Sequence, residues 1–131
     1  MQILINIDVP DLARAIDFYR DALGLKLSRL LFGGTVAEMA GAACPIYLLQ
    51  EQEGSTAAAT EPRRYARHRT PLHLDFAVEN LEEAVARAQH AGATLESGPT
   101  RHRWGRIATL ADPFGHGFCL LQWTGRGYPD D

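Results

Sequence analysis

The sequence predicts an α+β fold made of two tandem βαβββ modules, and three observations carry that prediction. The first is a repeat. Leu4-Ile5-Asn6-Ile7-Asp8-Val9-Pro10-Asp11-Leu12-Ala13-Arg14-Ala15-Ile16 is answered by His73-Leu74-Asp75-Phe76-Ala77-Val78-Glu79-Asn80-Leu81-Glu82-Glu83-Ala84-Val85, with matches at Val9/Val78, Leu12/Leu81, Ala15/Ala84 and Ile16/Val85. Self-similarity of this kind means two similar structural units in one chain. The second is that each copy passes from period-2 alternation through a turn residue to helical spacing. The third is that short strand-like segments separated by glycine follow each helical run.

In the first module, residues 3–9 read as a strand with Ile5, Ile7 and Val9 on one face and Leu4, Asn6 and Asp8 on the other. Pro10 and Asp11 open a helix, because proline suits the first turn and an acid favours the positive end. Leu12, Ile16, Tyr19 and Leu23 recur at helical spacing, and Gly24 stops the helix. Three strands are expected at residues 25–31, 34–39 and 45–50. In the second module, residues 73–78 form a strand and Asn80 caps a helix carrying Leu81, Val85, Ala88 and Ala91, which Gly92 ends. Strands follow at residues 94–96, 106–111 and 117–123, the last two separated by the turn Asp112-Pro113-Phe114-Gly115-His116.

These elements divide the chain into a first module at 1–51, a linker at 52–70, a second module at 71–124 and a tail at 125–131. The linker lacks apolar periodicity and is rich in Ala, Glu, Thr and Arg, with room for a short helical stretch. At 131 residues the chain makes one compact domain, and 46% hydrophobic with 22% charged residues is ordinary for a globular protein. A net charge of −3 argues against a general nucleic-acid binder, although Arg63, Arg64, Arg67, Arg69, Arg101, Arg103 and Arg106 concentrate positive charge in two segments. Cys44 and Cys119 are the only cysteines and have no metal-type spacing, which points to reduced thiols and a cytoplasmic setting. The N-terminal residues show neither a basic n-region nor a long apolar run, so no signal peptide and no membrane span are expected.

One helix per four strands covers only one face of a sheet. The face opposite the better covered one carries Leu4, Asn6 and Asp8 in the first module and His73, Asp75 and Ala77 in the second. A strand face bearing His, Asp and Asn is either wet or lines a ligand site. Two such sheets side by side would form a cup with this face inward.

Val9-Pro10-Asp11-Leu12 with Phe18-Tyr19-Arg20-Asp21-Ala22-Leu23-Gly24-Leu25, and His73-Leu74-Asp75-Phe76-Ala77-Val78 with Asp112-Pro113-Phe114-Gly115-His116, resemble the vicinal-oxygen-chelate superfamily. That superfamily holds glyoxalase I, bleomycin-resistance, fosfomycin-resistance and extradiol-dioxygenase relatives. The resemblance covers nearly all of the chain outside the linker and tail. It implies paired βαβββ modules whose mixed sheets curl into a cup, and often a homodimer. It also implies, for metal-dependent members, ligands on the first and last strands of each module. Those positions here are Leu4 and Tyr47, then His73 and Cys119. Only His73 matches, Leu4 has no donor atom, and Tyr47 and Cys119 stand where a carboxylate is expected. Catalytic divalent sites usually take three protein ligands, so the metal set looks incomplete.

Several residues are candidates on their own chemistry. His73 is a relic metal ligand, a hydrogen-bonding group or a general base, or else a strand histidine satisfied locally. Asp75, two residues away on the same face, is placed to orient it, although strand geometry separates such neighbours by about 6–7 Å. Cys119, between Phe118 and Leu120, reads as a buried thiol with nothing adjacent to activate it. Tyr47 offers a phenol from the same face as Leu49, and Glu38 is an acid inside an apolar strand, facing either the cup as a base or solvent at a sheet edge. Trp104, with Arg101, His102, Arg103 and Arg106 around it, suits a flat or anionic ligand at the rim, or packs inward from a solvated loop.

Two functions from different classes follow. One is a small-molecule binder of the bleomycin-resistance kind, holding an organic, aromatic or anionic ligand with Leu4, Asn6, Tyr47, Asp75, Trp104, Arg103 and Cys119, without a complete metal triad. The other is a divergent lyase, isomerase or dioxygenase-like enzyme with His73 as ligand or base and Glu38 as a second catalytic group. No cofactor is assured in either. A divalent metal fits only the second, and the partner is a small molecule rather than nucleic acid or membrane.

Overall fold

In the computed structural model, residues 1–56 and 61–130 are described, and the chain divides into two compact units, Met1–Ala66 and Arg67–Asp131. The first unit contains β1 (Ile5–Val9), α1 (Leu12–Leu23), β2 (Lys26–Leu31), a 3-10 turn (Phe32–Gly34), β3 (Val36–Ala40) and β4 (Ile46–Gln50). The second contains β5 (Leu74–Ala77), α2 (Leu81–His90), β6 (Thr94–His102), β7 (Gly105–Ala111) and β8 (Gly117–Trp123). Each unit is βαβββ, as the repeat predicts.

The two sheets share one topology. Their strand orders are β1-β4-β3-β2 and β5-β8-β7-β6, with the first pair parallel and the others antiparallel. In both, the helix carries the chain from the first strand past the sheet, so that the fourth strand returns beside the first. Neither sheet closes on itself, because the hydrogen-bonded order ends at β2 and at β6.

Each helix buries one stripe on one sheet face. In the first unit Leu12, Ala15, Phe18, Tyr19 and Ala22 are buried on the α1 side, as are Ala37, Met39, Ile46 and Leu48 from the strands. In the second, Leu81, Val85 and Ala88 of α2 are buried together with Ala108, Leu110, Phe118 and Leu120. Burying each of the larger aliphatic side chains contributes about 1.5–3 kcal/mol before chain entropy is counted. The stripe of α1 lies slightly round from the expected one: Ile16 and Leu23 are half-buried, while Ala15, Phe18 and Ala22 take the centre.

The helix starts are built alike, by the expected Asn80 cap and its Asp11 counterpart and by a pair of glutamines that sequence reading did not find. Asp11 and Asn80 are the N-caps, accepting from Arg14 N and Glu83 N, each at 3.1 Å. Gln50 Oε1 then accepts from Leu12 N at 3.2 Å, and Gln122 Oε1 from Leu81 N at 2.9 Å. A glutamine near the end of each fourth strand thus satisfies the first free amide of its helix. Pro10 sits before the cap rather than in the first turn, because the side chain of Asp11 captures the capping position.

Two further expectations need correction. β6 runs to His102 instead of ending at Glu96, since register shifts between Leu95/Ser97 and Ser97/Thr100 absorb Gly98-Pro99 without ending the ladder. Gly98, at φ +87°, leaves no space for a side chain: a Cβ would lie 2.5 Å from Ile107 O. Glu38 is not at a sheet edge, because β3 lies between β4 and β2.

Around the expected linker, described residues are tied to the unit nearer in sequence, and none is helical. Thr56 pairs with Pro62, Tyr65 Oη donates to Glu51 O at 2.7 Å, and Arg63 Nε donates to Asp8 at 2.8 Å. Arg67 makes two bonds to Glu96, at 2.7 and 2.8 Å, within the second unit. The centre of the linker and the last tail residue lie outside the described residues.

Candidate functional site

Strand alternation leaves one face of each sheet without a helix, and the register across it can be read residue by residue. In the first unit the row is Asn6, Tyr47, Glu38 and Arg29, which are successive partners across β1, β4, β3 and β2. In the second it is Asp75, Cys119, Thr109 and Ser97 across β5, β8, β7 and β6. Leu4 and His73 each stand one residue before β1 and β5, two positions from Asn6 and Asp75. The same backbone therefore presents two different sets of chemistry.

In the first unit the row is internally paired. Arg29 grips Glu38 with two bonds, Nε to Oε1 at 3.2 Å and Nη2 to Oε2 at 3.1 Å, and Tyr47 Oη donates to Glu38 Oε2 at 2.8 Å. The Arg29 bonds, then the Tyr47 bond, hold the Glu38 carboxyl below its ordinary range. The carboxylate in turn pushes the Tyr47 phenol up. Glu38 in this state is a weaker base than a free carboxylate, because its charged form is the one the hydrogen bonds favour. Asp8, on the same strand face as Asn6, is paired with Arg63. Leu4 is an exposed aliphatic side chain.

In the second unit the row carries two short local pairs and no arginine clamp. His73 Nδ1 lies 2.9 Å from Asp75 Oδ1, which closes the gap that strand geometry leaves between same-face neighbours. Cys119 is buried beside Asp75, and its Sγ is 3.7 Å from Thr109 Oγ1. Burial pushes the Cys119 thiol up; Thr109 offsets this, and the carboxylates of Asp75 and Glu96 add to it. The thiol is therefore protonated at neutral pH and is a poor nucleophile. One donor atom from each of His73, Asp75 and Cys119 lies within 4.8 Å of the others.

That trio bears on the metal the superfamily implies. Leu4 offers no donor, the Tyr47 phenol is occupied by Glu38, and Cys119 holds its proton. Hard divalent ions prefer oxygen ligands, and here a single carboxylate is joined by one imidazole and one thiol. The residues do not reproduce the expected set of ligands.

Trp104 and Arg103 occupy a different place. They form the tight turn between β6 and β7 and face the segment after β8, where Thr124 N donates to Trp104 O at 2.9 Å. Gly105 is required in this turn: a Cβ would lie 2.1 Å from Gln122 O. The structure does not join this turn to His73, Asp75 or Cys119. Arg106 is also engaged elsewhere, donating to Glu82 and, at 3.0 Å, to Gln122 Oε1.

Arg29, Thr109 and the C-terminal Tyr128 belong with these groups and were missed in the sequence. Arg29 becomes visible only once the β2–β3 register is known, which Phe32-Gly33-Gly34 sets. The Asp112-Pro113-Phe114-Gly115 motif proves architectural. Buried Asp112 Oδ1 accepts from Phe114 N at 2.8 Å and His116 N at 2.9 Å, fixing the β7–β8 turn with Gly115 at φ +90°.

Comparison with known proteins agrees with this architecture. The chain matches the glyoxalase-like domain over residues 4–121. No curated protein matches it significantly. Among solved structures it is similar to TnmS3, an antibiotic binding protein from a Streptomyces species, at 26% identity and TM-score 0.69, covering 95% of this chain and 96% of that one. A glyoxalase/bleomycin resistance protein, also from Streptomyces, shares 26% identity at TM-score 0.66, over 93% of this chain and 100% of the other. The fosfomycin resistance protein FosX from Listeria monocytogenes, in complex with Mn(II) and a dihydroxypropylphosphonic acid, shares the fold at 17% identity and TM-score 0.70, with 92% and 87% covered. The chain belongs to the glyoxalase-like domain family, within the vicinal-oxygen-chelate superfamily.

Proposed function

We propose that this protein binds a small organic molecule on the helix-free face of its second unit, without needing a bound metal. The observation that carries the reading is the row of His73, Asp75, Cys119 and Thr109, an imidazole–carboxylate pair beside a thiol–hydroxyl pair, where the first unit has an Arg–Glu–Tyr chain. A ligand lying on this face meets an imidazole aligned by a carboxylate, a neutral thiol and a hydroxyl. Such a set recognises polar atoms on an otherwise apolar body by hydrogen bonds, the usual composition of a small-molecule site. Similarity to an antibiotic binding protein makes antibiotics the first ligands to try. Leu4, Asn6 and Tyr47 supply an apolar and amide face in the first unit, and Glu38 serves there as an anchored anion. The same reading includes a homodimer, and a monomer in light scattering at micromolar concentration would count against that part of it.

The test is calorimetric titration of chelator-treated protein with a panel of aromatic antibiotics. Saturable binding that weakens at least tenfold in His73→Ala and Asp75→Asn is expected. Binding that is indifferent to both substitutions overturns the placement.

A second reading is favoured by one observation, the 4.8 Å grouping of an imidazole, a carboxylate and a thiol. In it His73 is a ligand or base of a divergent lyase, isomerase or dioxygenase-like enzyme. Stoichiometric binding of Zn²⁺ or Ni²⁺ lost in His73→Ala would move the assignment there. So would turnover of the methylglyoxal–glutathione adduct that depends on His73.

A further inference from the structure

We propose that the cleft at the β6–β7 turn is a second ligand site, taking a planar aromatic carboxylate. It goes beyond the reading above and shares none of the residues of the His73 group. The cleft has a volume of about 500 Å³, within the range of small-molecule sites, and is walled by Arg103, Trp104, Arg126, Tyr128, Pro129 and Asp130. All of these belong to the second unit.

Its aromatic side is preassembled. Trp104, Trp123 and Tyr128 form a closed triangle of edge-to-face contacts, with centroid distances of 5.7, 5.3 and 4.8 Å. His102 stacks on Trp104 at 5.1 Å with the rings 5° apart. The triangle fixes the rings before any ligand arrives, which lowers the ordering cost of binding. Yet Tyr128 remains 66% exposed, so much aromatic surface still faces water. Along the facing segment, a Cβ at Gly125 or at Gly127 would meet nothing within 4 Å, so no side chain fills the cleft from that wall.

Among the described residues its two cations are uncommitted. Arg126 makes no hydrogen bond or ion pair with any described residue, and Arg103 makes only a 3.5 Å bond to the backbone carbonyl of Asp130. Neither guanidinium is paired with the Asp130 carboxylate, so among the described residues two cations face one anion. Guanidinium groups match carboxylates with paired N–H donors and also stack on flat rings. A flat ring on the Trp104–Tyr128 side with its carboxylate toward Arg103 and Arg126 satisfies both halves of the site.

The probe is 2-naphthoate, with neutral 2-naphthamide as its control. Trp104 and Trp123 are the only tryptophans, so intrinsic tryptophan emission reports on this cluster alone. Expected are saturable, one-to-one binding of 2-naphthoate by calorimetry with a matching change in emission, and at least tenfold weaker binding of 2-naphthamide. Arg103→Ala with Arg126→Ala should weaken 2-naphthoate binding at least tenfold, Tyr128→Ala at least fivefold, and His73→Ala less than twofold. Both arginines are on the surface, so that variant keeps the test valid if Tyr128→Ala fails to fold. No saturation up to millimolar 2-naphthoate, equal affinity for the amide, or loss of binding in His73→Ala would each overturn the proposal. The last outcome would place the ligand on the His73 face and leave that reading standing.

Discussion

The two units are near copies in backbone and differ in what their equivalent positions carry. Asn6, Tyr47, Glu38 and Arg29 in the first occupy the row that Asp75, Cys119, Thr109 and Ser97 occupy in the second. The first row satisfies itself through an Arg–Glu–Tyr chain, whereas the second pairs an imidazole with a carboxylate beside a buried thiol. The shared scaffold thus carries two different sets of side chains, with the imidazole and the thiol in one half. Folding energetics act on the shared positions, and the proposed function draws on the unshared ones.

The scaffold half of this comparison is tested by the largest effects. Leu48 and Leu120 are fully buried at equivalent places, in β4 and β8. Leu48→Ala and Leu120→Ala should each cost about 2–5 kcal/mol in chemical denaturation. A large cost for one and little for the other would break the equivalence. Asp112→Ala should cost about 2 kcal/mol, since it leaves the amides of Phe114 and His116 without their acceptor. The turn joining β3 to β4 has no carboxylate, so this loss has no first-unit counterpart.

Smaller effects sharpen the comparison. Gln50→Ala and Gln122→Ala should each cost about 1 kcal/mol by exposing a helix-initial amide. Gln122 should cost the more, because it also accepts from Arg106. Between the cysteines, half-exposed Cys44 should be alkylated well before buried Cys119. The Cys119 rate should rise only above the ordinary thiol range, since burial raises that group. Glu38 supplies the smallest effect. Its folded carboxyl is lowered, so the stability it contributes is present above its ordinary value of 4.5 and is lost as pH falls through the lower folded value. Stability curves of the protein and of Glu38→Gln should therefore converge on the acid side of 4.5.

How much of this was legible in the sequence divides along the same line. Strand and helix identities follow from hydrophobic period, a local property, and the repeat supported the first strand and helix of each unit against their copies. The longer β6 was hidden because Gly98-Pro99 reads as a strand break when it is a bulge. Individual candidates such as His73, Asp75 and Cys119 were legible from strand period and the resemblance, but their pairing was legible only within one strand, as with His73 and Asp75. Cross-strand partners such as Arg29–Glu38 and Thr109–Cys119 depend on register, which pattern alone does not supply. The helix-capping glutamines lie far in sequence from the amides they satisfy, as Tyr128 does from Trp104, and no local signal marks them.

The most direct test of the central claim is calorimetry on chelator-treated protein, with an aromatic antibiotic in one arm and Zn²⁺, Ni²⁺ or Fe²⁺ in the other. Metal-independent, saturable antibiotic binding that weakens at least tenfold in His73→Ala is the expected result. Tight one-to-one metal binding abolished by His73→Ala, with no antibiotic bound in the metal-free protein, would contradict it.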